Sequence, residues 1–226
     1  MTIPMLMAWS GGKDAAWTLH TVRQHGDVDI RALVTTVTAD YDRIAMHGIR
    51  RDVLHAQAAS VGLPLFEAVI PVACDNATYE ASFADALARA KAQWPDLDTI
   101  AFGDLFLADV RAWRVDTLAK IGWHVHTPLF GRDTRDVAHE MLQGGLRTWL
   151  CCVDTQQLDG AFSGAAFDAA LLDALPATCD PCGERGEFHT LVWDGPMFSR
   201  PLALERGEQI LRDDRFVYTD FSLVDA

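Results

Sequence analysis

The sequence predicts an α/β fold: a parallel sheet covered on both faces by helices, followed by a smaller α/β domain. Three observations lead there. Short apolar runs alternate with amphipathic helical stretches through residues 1–130, which is the pattern of strands joined by crossover helices. Glycines fall where a strand hands over to a helix and where a helix stops. Beyond residue 131 the alternation loosens, and the chain ends in extended segments.

Residues 5–9 form a short apolar run that ends in Ser10-Gly11-Gly12, as a buried strand does when it feeds a tight turn. Residues 14–25 place Ala15, Ala16, Leu19 and Val22 on one helical face, and Gly26 is the natural stop. Residues 30–37 read as a second strand, residues 51–61 as a helix closed by Gly62, and residues 65–72 as a third strand. An amphipathic helix over 79–93 carries Phe83, Ala86, Leu87 and Ala90, and the strand 99–102 follows it. Gly103-Asp104 then falls just past that strand's carboxyl end, the edge where open parallel sheets bind ligands. A helix over 109–121 and a strand over 123–127 complete the first domain, residues 1–130, with residues 128–133 as the linker. The second domain, 131–226, is expected to hold a helix at 136–143, a strand at 148–153 and a helix at 167–175. Its tail reads as extended at 187–193 and 216–221, with the turn Asp194-Gly195-Pro196 between them.

The chain of 226 residues is 50% hydrophobic and 23% charged, enough to bury a core without a metal or disulfide staple. A net charge of −13 opposes nucleic acid, whose binding rests on Lys and Arg neutralising phosphates. A patch made of Arg111, Arg114, Arg132 and Arg135 is the remaining route to such a partner. The apolar residues 1–7 lack a basic leader and run into the glycine loop, so a cytoplasmic location is expected. No apolar run approaches the roughly 20 residues that span a bilayer, so no membrane partner is expected. The five cysteines read as reduced thiols. Cys179 and Cys182 have C-x-x-C spacing, but a structural zinc site wants a second ligand pair that the sequence does not offer.

The chemistry concentrates in Ser10-Gly11-Gly12-Lys13-Asp14. Two glycines after a strand let the backbone turn sharply and aim N–H groups at an anion, and the following helix adds its positive end. Lys13 supplies a mobile charge for phosphate oxygens, and Asp14 can help hold a magnesium ion. The string is neither the Walker loop nor the dinucleotide fingerprint.

The loop resembles that of the N-type PP-loop ATP pyrophosphatases, which carry S-G-G-K-D-S; here Ala15 stands in the sixth place. Two further motifs narrow the resemblance. Met46-His47-Gly48, and Cys182-Gly183-Glu184-Arg185-Gly186-Glu187-Phe188-His189-Thr190 with Gly195-Pro196-Met197-Phe198 after it, are similar to the diphthine–ammonia ligase family. The likeness runs from about residue 5 to about residue 200. It implies a Rossmann-like, adenine nucleotide alpha hydrolase-like sheet, with ATP and magnesium as cofactors. It also implies two steps: adenylation of a carboxylate on a small molecule or protein, with release of pyrophosphate, then amidation by ammonia.

In that picture Ser10, Gly11, Gly12, Lys13, Asp14 and Ala15 hold the phosphates, with Asp14 as the magnesium ligand. Thr35, Thr36 and Val37 meet adenine through backbone groups, and His47, Gly103 and Asp104 complete the nucleotide side. Gly183, Glu184, Glu187 and His189 line the acceptor and ammonia side, Glu187 being a candidate base for the attacking amine. Lys13, Asp14, Glu184, Glu187 and His189 are thus the expected catalytic set. Asp109, Arg111 and Arg114 are further candidates from the opposing wall. Two rival readings stand beside this one: an ATP-binding sensor without turnover, favoured by Ala15, and a sulfur-transfer enzyme using Cys179 or Cys182. A homodimer stays open as an assembly.

Lys13→Ala is expected to weaken magnesium–ATP binding by about 1 to 3 kcal/mol, the worth of a charge-assisted contact. Titration calorimetry measures it, and an unchanged affinity refutes the loop assignment.

Overall fold

The computed structural model describes residues 2–44 and 46–224. Strand β1 (Ile3–Ala8) enters the glycine loop, helix α1 (Lys13–His25) leaves it, and β2 (Val28–Thr38) returns parallel to β1. A short β3 (Arg43–Ile44) folds back antiparallel on the end of β2. Helix α2 (Arg51–Val61), β4 (Leu65–Ile70), α3 (Asn76–Gln93), β5 (Thr99–Ala101), α4 (Ala108–Ala119) and β6 (His124–His126) follow. Strand β1 lies between β2 and β5, β4 pairs the far side of β2, and β6 pairs β5, all parallel.

The strand residues alternate between two apolar layers. Met5, Met7 and Leu33 face α1 and α2, whereas Leu6, Val34 and Ile100 face α3 and α4. Burial on both faces is what makes these strands near-continuous apolar runs. Helix α3 begins at Asn76 because Asp75 caps it, its side chain accepting from the Thr78 N–H at 2.8 Å. Helix α5 (Thr134–Gln143) begins likewise at the Asp133 cap.

The remainder holds β7 (Arg147–Asp154), the short helix α6 (Ala169–Ala174), β8 (Phe188–Asp194), β9 (Leu204–Arg212) and β10 (Phe216–Leu223). Its sheet is antiparallel throughout, in the order β8-β7-β10-β9. Strand β9 was not expected from the sequence. It is an edge strand, exposed along nearly all of its length, so no burial imposes an apolar alternation on Glu205, Arg206, Gly207 and Glu208.

One apolar cluster joins the two sheets, running from Met7 and Leu54 to Leu150, Phe188 and Phe221. Gln57 bridges the same junction. Fully buried, it accepts from Trp9 Nε1 at 3.0 Å and donates to the carbonyls of Gly11 at 3.0 Å and Val192 at 2.6 Å. Helix α2 thereby ties the glycine loop to β8, and Val192 N–H donates to the Gly11 carbonyl as well. Gln57→Ala strands a buried indole N–H and a carbonyl. It is expected to cost about 3 kcal/mol of stability in urea titration, and a loss under about 0.5 kcal/mol, the usual effect of a surface change, contradicts the bridging role.

Candidate functional site

Strand β1 is followed on one side by β2 and on the other by β5, so the carboxyl ends of β1 and β5 flank the point where the winding of the sheet reverses. Ligand crevices open at such points. Here a cleft of about 730 Å³ lies over them. Ser10, Lys13, Asp14 and Ala15 line it from the glycine loop, Thr35 and Thr36 from the end of β2, and Gly103 and Asp104 from the end of β5. His47 comes from the turn after β3, and Gly183, Glu184 and His189 come from the loop before β8 and its start. Residues up to 177 apart in sequence meet in it through Lys13 N–H, which donates to Thr190 Oγ1 at 3.0 Å.

Gly11 has φ +76, and a Cβ there would stand 2.7 Å from Gln57 Oε1. Glycine is therefore required by conformation and by space. A Cβ on Gly103 would fall 2.7 Å from the Asp14 carbonyl carbon, so only glycine lets the end of β5 pack against the first turn of α1. Its N-cap, Gly12, offers no side chain; the Lys13 N–H is taken by the Thr190 hydroxyl, and the positive dipole end of α1 adjoins the cleft.

Lys13, expected to supply a mobile charge for phosphate oxygens, is pinned in the structure. It is 2% exposed, and its ammonium donates to Asp14 Oδ1 and Oδ2 at 2.9 and 2.8 Å and to the Cys182 carbonyl. Burial alone would lower its pKa; the Asp14 carboxylate, by charge and hydrogen bond, and Glu184 outweigh burial and hold it above its ordinary value. It is a fixed positive charge in the wall of the cleft.

The loop from Cys179 to Glu187 is wound around two buried carboxylates. Asp180 accepts from Cys182 N–H at 2.8 Å and from the Thr134 hydroxyl at 2.7 Å. Glu187, 1% exposed, accepts from the N–H groups of Asp180 at 2.7 Å and Arg185 at 2.9 Å. Glu187 was expected as the base; in the structure it does not line the cleft, and each of its oxygens accepts from the loop it braces. The cleft-facing carboxylate is Glu184, anchored by the Leu105 N–H at 3.1 Å. Burial first, and then the Asp14 charge, pushes Glu184 up to about 7 in spite of Lys13. Burial also raises Asp14 against the pull of Lys13. His189 is pushed down to about 4 by burial and by the Lys13 charge, so it is neutral near pH 7; its ring lies 4.6 Å from that of His47.

Thr35 and Thr36 sit in a gap. Strand β1 ends at Ala8 opposite Val34, and β3 starts pairing at Val37, so between them the β2 edge faces the cleft without a strand. Val37 was expected to meet adenine there through its backbone; that backbone is paired with β3 and β4 on either side, and its side chain is in the core. Gly11 and Gly12 shape the loop from behind rather than line the cleft, Gly12 lying against His47 and Thr190. Asp109 is exposed and outside the cleft. Arg111 is drawn off by the Thr127 hydroxyl at 2.9 Å and the Phe130 ring. Arg114 does reach the cleft, 3.3 Å from Asp104.

Sequence reading missed the apolar wall formed by Tyr79, Phe83, Phe102, Leu107 and Val110. Phe83 appeared only as a core position of its helix, and no local pattern distinguishes core from cleft lining. The thiols do not suit sulfur transfer. Cys179 and Cys182 are buried, and burial above all pushes Cys179 to about 12 and Cys182 higher still, so neither is a ready thiolate. Among the described residues no three His, Cys, Asp or Glu side chains converge as a metal cluster, and no helix is long and apolar enough to cross a membrane.

Residues 4–122 match the family model of the diphthamide synthase N-terminal domain, and residues 133–219 match that of the diphthamide synthase C-terminal domain. The chain is 26% identical over 220 residues to the diphthine–ammonia ligase of Schizosaccharomyces pombe. That alignment takes in 89% of this chain and 36% of the curated relative's own length.

Glu184 gives the site a pH signature. Its folded value of about 7 lies above its ordinary 4.5, so the folded state holds the proton more tightly. The penalty for ionising it is absent below pH 4.5, develops as pH rises from there to about 7, and is complete above. Glu184→Gln is accordingly expected to raise the melting temperature at pH 8 and to change it little at pH 4.5. An equal effect at both values contradicts the burial of the charge.

Proposed function

The chain belongs to the diphthamide synthase family, and on that premise we propose that it is an ATP-dependent amide ligase. An oxygen of the acceptor carboxylate attacks the α-phosphorus of ATP, and the bond to the bridging oxygen breaks with pyrophosphate leaving. Ammonia then adds to the acyl carbon, the carbon–oxygen bond to AMP breaks, and the amine surrenders a proton.

The observation that carries this reading is the convergence, over one cleft, of the glycine loop and the Cys182–Thr190 motif, locked together by the buried Lys13 ammonium. Nucleotide phosphates find there the positive end of a helix whose N-cap, Gly12, carries no side chain, and a fixed positive charge. The open β2 edge at Thr35 and Thr36 suits adenine, which pairs with backbone groups. Magnesium is held by one or two carboxylates together with phosphate oxygens, and Asp14, whose carboxylate opens onto the cleft, fits that donor set. When bound, the ion would neutralise polyphosphate charge. Glu184, poised at about 7, is the group suited to take the proton from the attacking ammonia near neutral pH, and neutral His189 adds no competing positive charge.

Turnover is expected to yield AMP and pyrophosphate in equal amounts, and stoichiometric ADP by product chromatography would refute the reaction class. Glu184→Gln should bind ATP normally while ligation falls by about 10² or more, the usual worth of a base. Glu187→Gln removes one of two carboxylate acceptors from the brace and should lower ATP binding and ligation together. Loss of ligation alone in Glu187→Gln would restore its base role.

A further inference from the structure

A second, smaller pocket of about 110 Å³ lies between α3 and α4. Its own walls are Ala84, Trp113, Thr117, Leu118 and Ile121, with Glu80 and Lys120 at the rim. Four side chains, Tyr79, Phe83, Phe102 and Arg114, belong both to this pocket and to the cleft. They form a shared partition between them.

Arg114 is the unusual member. Its guanidinium carbon lies 4.3 Å from the centre of the Phe102 ring, an arrangement that helps to fix a planar cation. Its Nε is 3.3 Å from Asp104 Oδ2, yet both atoms are buried without a hydrogen-bond partner among the described residues. Buried polar groups left in that state are expensive, and a carboxylate beside the guanidinium could satisfy its N–H groups. Around that point the surfaces are aromatic, Tyr79 lying 6.0 Å from Phe83 and 6.2 Å from Trp113 by ring centres. Trp113 and Ile121 remain 39% and 45% exposed, more apolar surface than two helices need to show.

We propose that the α3–α4 pocket seats the acceptor of the ligation, a small carboxylic acid with an aromatic or aliphatic body, whose carboxylate rests on Arg114. This rests on the ligase reading above. The body occupies the apolar pocket, and Arg114, standing on the partition, presents the carboxylate towards the cleft beside Asp104 and Asp14. Arg114 is then a positioning and specificity residue of the cleft.

Ligand-observed NMR on the full chain tests the seat, using 3-phenylpropionate and hexanoate as probes and 3-phenylpropionamide as the uncharged control. The acids should bind in roughly the millimolar range expected of fragments this small, and the amide at least about tenfold more weakly, as one lost charge-assisted contact requires. Arg114→Gln should reduce acid binding to the level of the amide. Thr117→Trp, which fills the pocket while leaving Arg114 in place, should abolish binding of all three probes with an unchanged melting transition. Equal binding of acid and amide, or acid binding that survives Thr117→Trp, overturns the seat.

A second measurement separates the seat from the ligase reading. With magnesium–ATP present, the acids should raise pyrophosphate release in the wild type and not in Thr117→Trp. Release that is indifferent to Thr117→Trp leaves the ligase reading standing and overturns the seat. Acid binding without any release overturns the assignment of the pocket to the acceptor.

Discussion

The buried ammonium of Lys13 is the constraint on which the site depends. A charge that deep costs several kcal/mol unless it is paired and fully hydrogen-bonded. Its partners come from two distant stretches of chain, the Asp14 carboxylate beside it and the Cys182 carbonyl from the loop before β8. Satisfying Lys13 therefore fixes that loop against the amino end of α1. Gln57 and the Thr190 hydroxyl reinforce the same junction with neutral hydrogen bonds, which is why the second sheet sits over the carboxyl edge of the first.

With that junction made, carboxylates crowd one crevice. Asp14, Asp104 and Glu184 all face it, and Asp180 stands just behind the loop. Desolvation and mutual repulsion push Asp14, Asp104 and Glu184 upward, so the cleft of a chain with net charge −13 need not carry every one of those charges at neutral pH. On the proposed reading the same crowding favours a polyphosphate that arrives with its cation over a bare one, and it leaves Glu184 as the carboxylate whose proton exchanges near neutrality.

Roles divided between the loop's two glutamates in a way that their spacing could not reveal. Glu184 and Glu187 are three residues apart in one motif, and either could have been the base. Backbone N–H groups at both oxygens of Glu187 make it a brace, whereas Glu184, held by the Leu105 N–H, keeps contact with the cleft. Val37 is a similar case. It continues Thr35 and Thr36 in sequence but lies under β3, a two-residue strand too short to leave a periodic signal.

The sequence by itself determined the parallel sheet, the glycine loop between its first strand and helix, and the place of Gly103-Asp104 at a strand's carboxyl end. Each of these follows from local rules: apolar runs buried on two faces, and glycines where the backbone must turn; that the loop lies at the switch point follows from the strand order of the folded sheet. It also supplied the two motifs that face each other across the cleft. Only the tertiary structure decided which of their side chains reach the cleft, that Lys13 is pinned rather than mobile, and that Arg114 stands on the partition between two cavities. Those outcomes depend on burial and on hydrogen-bond partners up to 177 residues away, and a side chain's desolvation is a property of what packs over it, which no local spacing contains.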